Sequence, residues 1–164
     1  MDWRIGNVLV GWEMLHIALL EPEIAPNTGN IARLCAATGT RLHLIGRLGF
    51  RLDERSLRRA GVDYWEYVDW VRHADWDDFA GAMIGHRLWL FTARRGTLYC
   101  RVRFQDNDCL VFGSESQGLP EGLLNRYEPC NLHIPMPTGK VRSLNLATAA
   151  GIALYEALRQ IHAW

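Results

Sequence analysis

Three short segments gather the side chains that could bind or activate a ligand: residues 21–33 (EPEIAPNTGNIAR), 113–120 (GSESQGLP) and 134–145 (IPMPTGKVRSLN). Each is rich in glycine, proline, serine or asparagine, and each follows an apolar run of strand length. Helix N-termini and glycine turns past strand ends present backbone N–H groups to ligands, and strand-end loops are where a rigid sheet displays functional groups. Chemistries built on a single loop are missing. The junction after the first strand lacks the GxGxxG of a dinucleotide fold, and no GxxxxGK[ST] phosphate loop occurs. Ser116 has Ser114, not glycine, two positions before it, so a GxSxG nucleophile elbow fails as well. A composite pocket, built where all three loops converge, is one remaining reading. Capping is the other: Asn27 or Thr28 could accept the first N–H groups of a helix entered at Pro26. In the same way Ser143 and Asn145 could cap the last helix, and Glu115 a helix beginning near Pro120.

The elements that must position these loops alternate along the chain. Strands are expected at 15–20, 41–45, 65–68, 87–92, 109–112 and 131–134, and helices at 29–37, 53–60, 75–83, 120–125 and 145–162. Several strands are apolar on both faces, as in a parallel sheet covered by helices on both sides, and the alternation gives an α/β class. The last helix has the clearest pattern, with Leu146, Ala149, Ala150, Ala153, Leu154, Ala157, Leu158 and Ile161 at helical spacing. Residues 14–164 form one expected domain. Residues 1–13 (MDWRIGNVLVGWE) lack the basic start and cleavage site of a signal peptide and read as an extension. The native start, Met1 or Met14, stays open.

Composition narrows the function classes. The 164 residues are 49% hydrophobic and 22% charged with zero net charge, so no global basic field points to nucleic acid or membrane. Charge is uneven, however: residues 47–59 hold five arginines (Arg47, Arg51, Arg55, Arg58, Arg59) against two acids, and Arg94, Arg95, Arg101 and Arg103 cluster later. The four cysteines show neither CxxC nor zinc spacing, which fits reduced thiols and a cytoplasmic protein. No apolar run reaches the length of a membrane span. No metal-ligand set is evident.

At the three loops the chain resembles the SPOUT-class RNA 2'-O-methyltransferases. EPxxxxNxGNxxR, FGxExxGLP, and IPM followed by RSLNLATA are similar to that class's three signature regions, in order, over about residues 14–162. LRRAGVDYWEY (57–67) resembles the short single-domain branch that methylates the wobble nucleotide of tRNA, a cytidine or modified uridine. The resemblance implies a parallel sheet with a C-terminal deep trefoil knot, a homodimer, and tRNA docking across both subunits. It also implies S-adenosylmethionine as cofactor, with S-adenosylhomocysteine as product. Asn27, Arg33, Glu115, Ser143 and Asn145 match the family's catalytic set. Phe91, Thr92, Gly113, Ile134, Ser143 and Leu144 match its cofactor loops. A glycine at 113 would allow close backbone approach to a ligand. Methylation of another tRNA position or of ribosomal RNA, and an inactive RNA- or cofactor-binding module, are the alternatives.

Three further expectations follow. The arginines of 47–59, with Arg94 and Arg95, are the expected phosphate contacts. In a dimer the last helix would pack on its counterpart along Ala149, Ala150 and Ala153, with Tyr155 and Trp164 near the seam. Arg33, if the helix opens near Gly29, would lie about one turn inside and point back toward Asn27. Pairing of Arg33 with Glu21 or Glu23 is the competing structural role.

Overall fold

The computed structural model describes residues 14–52 and 64–164. The extension 1–13, the expected helix 53–60 and Arg55, Arg58 and Arg59 lie outside them. Seven strands form one parallel sheet: β1 (His16–Leu20), β2 (Arg41–Ile45), β3 (Trp70–His73), β4 (Leu88–Thr92), β5 (Thr97–Leu98), β6 (Cys109–Phe112) and β7 (Asn131–His133). Their spatial order is β3-β2-β1-β6-β4-β7-β5. The α-helices among the described residues are α1 (Ala25–Thr38), α2 (Trp76–Ala82), α3 (Glu121–Arg126) and α4 (Leu146–His162).

Alternation along the strands builds a core on each face. Ile17 and Leu19 of β1, Leu42 and Leu44 of β2, and Leu110 and Phe112 of β6 pack with Ile31 and Cys35 of α1 and Leu154 and Leu158 of α4. Ala18, Ile45, Leu90 and Val111 meet Phe79 of α2 and Leu124 of α3 on the other face. Burial raises the Cys35 thiol to about 12, so it behaves as a small hydrophobe. At the entrance to β6 the buried Asp108 carboxylate accepts from Arg87 Nε and Nη2, Trp89 Nε1 and the Gln105 backbone N–H.

Three expectations need correction. Residues 65–67 form a 3-10 turn, and the strand lies at Trp70–His73. The WEYV run was apolar enough for a strand, but Val68 turns inward to the core while Tyr67 stays exposed. The helix expected at 29–37 begins four residues earlier, at Ala25. Ala150 and Ala153 are fully buried against their own sheet, so no small-residue stripe faces outward along them. Tyr155 and Trp164 are exposed, at 49% and 64%. Among the described residues no helix is long and apolar enough to cross a membrane.

A row of buried histidines crosses the sheet beneath α2. His16 Nδ1 lies 2.9 Å from His43 Nε2, and His43 Nδ1 lies 2.9 Å from His73 Nε2. His73 Nδ1 faces Asp78 Oδ2 at 3.6 Å. With Asp78 as terminal acceptor, His43 and His73 accept at Nε2 and all three rings donate from Nδ1; burial favours the neutral form of each. His86 stands edge-on to His16 and directs its own Nδ1 to the Asn107 carbonyl. Burial, reinforced by neighbouring histidines and Arg41, lowers His16 to about 4 and His43 to about 3. Because the folded values lie below the unfolded 6.5, the unfolded chain binds more protons as pH falls, and stability drops below about pH 6.5. The loss should reach about 2 kcal/mol for each of these two rings near pH 5. Urea midpoints between neutral and mildly acid pH should record it, and His43→Leu should flatten the dependence.

Candidate active site

The C-terminal ends of β1, β4, β6 and β7 open into a cavity of about 790 Å³. The chain leaves β1 through Glu21, held at φ 50°, a left-handed conformation uncommon outside glycine. It then enters α1 with Ile24 at the N-cap and no side-chain cap of the helix's own. Asn27 and Thr28 therefore do not cap the helix; they lie in its first turn. Glu115, from the loop after β6, supplies the cap. Its Oε2 accepts the Glu23 backbone N–H at 2.7 Å, and its Oε1 accepts the Ile24 N–H at 3.2 Å and Asn27 Nδ2 at 3.1 Å. Asn145 Nδ2 donates to Asn27 Oδ1 at 2.9 Å. Asn145 Oδ1 accepts the Ala147 and Thr148 N–H groups, so it caps α4 while joining the network. Glu115 caps α1 instead of the helix that follows Pro120.

All three loops thus reach one cavity wall. Asn27, Glu115 and Asn145 line the cavity together with Phe91, Thr92, Gly113, Ile134, Ser143 and Leu144. Gly113 has a different reason for being glycine than expected: a Cβ there would sit 2.0 Å from the Gly118 carbonyl carbon. The residue is small because the turn folds back on it, so Gly113→Val would disrupt the turn itself and cannot isolate ligand binding.

The arginines divide. Arg33 is exposed, lies outside the cavity lining and stacks over the Tyr64 ring, 5.3 Å from its centroid. Among the described residues it pairs with neither Glu21 nor Glu23. Arg94 and Arg95 both line the cavity, but Arg95 is engaged by Glu121 Oε1 at 2.5 Å and Asn125 Oδ1 at 3.1 Å. Arg47 and Arg51 are exposed on the loop after β2. Arg142, not singled out from sequence, is an exposed cation on the opposite rim. Its signal in the sequence was its place at the head of RSLNLATA, beside Ser143. Leu119 and Met136 also line the cavity; both stand inside the matched segments FGxExxGLP and IPM but were not singled out as site residues. A second hollow, of about 500 Å³ beside Arg103 and Gln160, borders the segment entering β6 at the opposite end of the strands and gathers no such network.

Comparison with known proteins gives the chain's relatives. The SpoU rRNA Methylase family model matches residues 14–155. A tRNA (cytidine(34)-2'-O)-methyltransferase of Methylovorus glucosotrophus is 45% identical over 148 residues, covering 90% of this chain and 96% of that protein. A solved structure concerned with the 2-OH methylation of C/U34 on tRNA is 49% identical, with a TM-score of 0.87, covering 94% of this chain and 100% of that one. The SpoU methyltransferase AviRb of Streptomyces viridochromogenes, solved with the cofactor AdoMet, is 26% identical with a TM-score of 0.73, covering 93% of this chain and 62% of that one.

Glu115→Ala leaves three donors without their acceptor and should cost roughly 2–3 kcal/mol in urea unfolding. Asn145→Ala, which removes the α4 cap, should cost about 1–2 kcal/mol. Glu115→Gln keeps one acceptor oxygen and should fall below Glu115→Ala. The reverse order would mean that the carboxylate does not hold the three loops together.

Proposed function

The chain belongs to the SpoU rRNA methylase family, and from that premise we propose that it transfers the methyl group of S-adenosylmethionine to the ribose 2'-OH of C34 or U34 of tRNA. The joining of three strand-end loops by Asn27, Glu115 and Asn145 along one wall of the cavity carries the reading. The cavity suits the cofactor. Its volume falls in the range of small-molecule sites, and Phe91, Leu119, Ile134 and Leu144 offer apolar surface beside the polar Thr92, Ser143 and Asn145.

When bound, the cofactor supplies a methyl group on a sulfonium, so the leaving sulfur departs neutral and needs no acid. The protein's task is to present the ribose hydroxyl, a poor nucleophile until its proton is removed or polarised. Glu115 already accepts three donors, so its part is to hold Asn27 and α1 in place. Asn145 and Ser143 bring the third loop over the cofactor. Arg33 cannot be the base, because guanidinium stays protonated in proteins. From outside the cavity it clamps a phosphate beside the reacting ribose; as the oxygen–methyl bond forms and the methyl–sulfur bond breaks, the hydroxyl proton passes to solvent water. Alignment of the reacting atoms can contribute roughly 7–11 kcal/mol.

The reading includes a homodimer, supported by the exposed Tyr155 and Trp164 at the α4 end, and a deep trefoil knot in the C-terminal part. The strand order supports the knot: the late strand β7 is seated between β4 and β5, which precede it in the chain. Arg47, Arg51 and Arg94, with Arg142 added, serve as phosphate contacts, and tRNA binding weakens with salt. Arg95 serves the cavity wall through Glu121 and Asn125.

Incubation of unmodified tRNA with enzyme and labelled S-adenosylmethionine, followed by nucleotide mapping, should place the ribose methyl at position 34. A methyl at another tRNA position or in ribosomal RNA alone would overturn the reading. Arg33→Lys keeps the charge but loses the forked geometry, and single-turnover methylation should fall about a hundredfold. Cofactor affinity and thermal midpoint should stay near wild type. Unchanged turnover would remove Arg33 from the reaction.

A further inference from the structure

Glu23 has no cavity-lining role, yet its carboxylate accepts the Ser116 backbone N–H at 2.9 Å and the Ser116 hydroxyl at 2.7 Å. Its own backbone N–H donates to Glu115 Oε2 at 2.7 Å. The segments before α1 and after β6 therefore grip each other reciprocally: an acid on each accepts a backbone N–H of the other. This is the logic of a capping box, here formed between loops about ninety residues apart in sequence. The loop 46–50 is pressed onto the same place: Gly49 N–H donates to the Pro22 carbonyl, and a Cβ at Gly49 would lie 2.6 Å from the Glu23 carbonyl oxygen.

We propose that Glu23 is a positioning residue for the cofactor, setting the attitude of the cavity wall 113–118 relative to α1. The shape of that wall is closed internally. Gly118 N–H donates to the Ser114 carbonyl at 2.8 Å, and Gln117 N–H donates to Ser114 Oγ at 3.3 Å. Its orientation is not fixed by those bonds. Residues 113–118 all line the cavity, and they are tied to the start of α1 by Glu115 on one side and by the Glu23–Ser116 pair on the other. Loss of the Glu23 carboxylate leaves Glu115 in place as a single hinge, about which the wall swings. Glu23 and Ser116 are exposed, so their hydrogen bonds contribute little to global stability compared with the core. Their effect is local and falls on the wall.

The inference rests on the methyl-transfer reading, and the test separates the two. Calorimetric S-adenosylmethionine binding is measured on the full chain for wild type, Glu23→Ala, Glu23→Gln and Ser116→Ala, alongside thermal melting and turnover at saturating cofactor. Glu23→Ala should weaken binding about tenfold, the scale of a lost charge-assisted hydrogen bond, with melting little changed. Its KM for cofactor should rise while kcat stays within about twofold, since positioning of the cofactor is compensated by saturation. Glu23→Gln should recover part of the affinity, and Ser116→Ala, which keeps the N–H bond, should lose only a few-fold. Unchanged affinity in a folded Glu23→Ala overturns the inference, as does a loss of affinity that tracks melting and is not recovered by Glu23→Gln. If Glu23→Ala fails to fold, Ser116→Ala and Glu23→Gln decide: wild-type affinity in both overturns it. Absence of cofactor binding in wild type defeats the methyl-transfer reading instead.

Discussion

The N-terminus of α1 is the constraint on which the site depends. A helix leaves its first N–H groups without intrahelical partners, and α1 begins at Ile24 and Ala25 with no capping side chain of its own. Glu115, from the loop after β6, instead accepts the N–H of the N-cap Ile24 and of Glu23 just before it. A carboxylate there also complements the positive end of the helix dipole. Asn27 extends the cap to a third loop, donating to Glu115 and accepting from Asn145, which itself starts α4. Two helix starts and one strand-end turn are thereby fixed by three side chains. A cap that could have been local is instead distributed over the whole chain, and the cavity wall is its by-product.

Packing and polar contacts divide the work by magnitude. Each fully buried Leu, Ile or Phe contributes roughly 1.5–3 kcal/mol of burial, and the two faces of the sheet hold many of them, including Ile17, Leu42, Leu110 and Phe79. A typical hydrogen bond adds only about 1 kcal/mol net. The core therefore holds the fold, while the polar network decides the relative placement of elements the core would tolerate in several arrangements. The histidine row shows the same division in reverse: its rings fill core volume beneath α2, but stay there only while neutral.

The α/β class, most strands and the last helix were legible because their apolar periodicity is strong and local. The run LHIALL reads as a buried strand without help from elsewhere, and α4 declares itself through Leu146 to Leu158. Residues 65–68 misled because a short apolar-aromatic run satisfies a strand pattern and a 3-10 turn alike. The start of α1 was misplaced because Pro26 and Asn27 look like boundary residues, and the cap that permits an earlier start lies on Glu115, invisible to any local window. Membership of Asn27, Glu115 and Asn145 in one site was legible through the family's motifs, whereas their hydrogen-bonding pattern was not. The outward stripe on α4 failed for a related reason. Helical spacing shows which residues share a face but not whether the sheet or a second copy covers it, and Ala150 and Ala153 belong to the sheet.

On the proposed reading, the placement of the arginines fits a feature that first argued against nucleic acid, the zero net charge. A small cofactor enters a cavity where Glu115, Asn27 and Asn145 of the wall are already joined to one another, so that wall needs no excess cation. An RNA ribose arrives from outside with its phosphates, and the charges that meet it belong on the rim and beyond. Arg94 and Arg142 line the cavity, and Arg33 stands outside it, its guanidinium carbon 5.3 Å from the centroid of the Tyr64 ring. An arginine over an aromatic face still has its N–H groups to offer, as the proposed phosphate contact requires. Arg95, by contrast, is spent on Glu121 and Asn125, where it braces the wall. On the proposed reading, a few arginines in the right places do what a basic surface does elsewhere. Specificity then comes from geometry at the cavity mouth, since the charge of the whole contributes none.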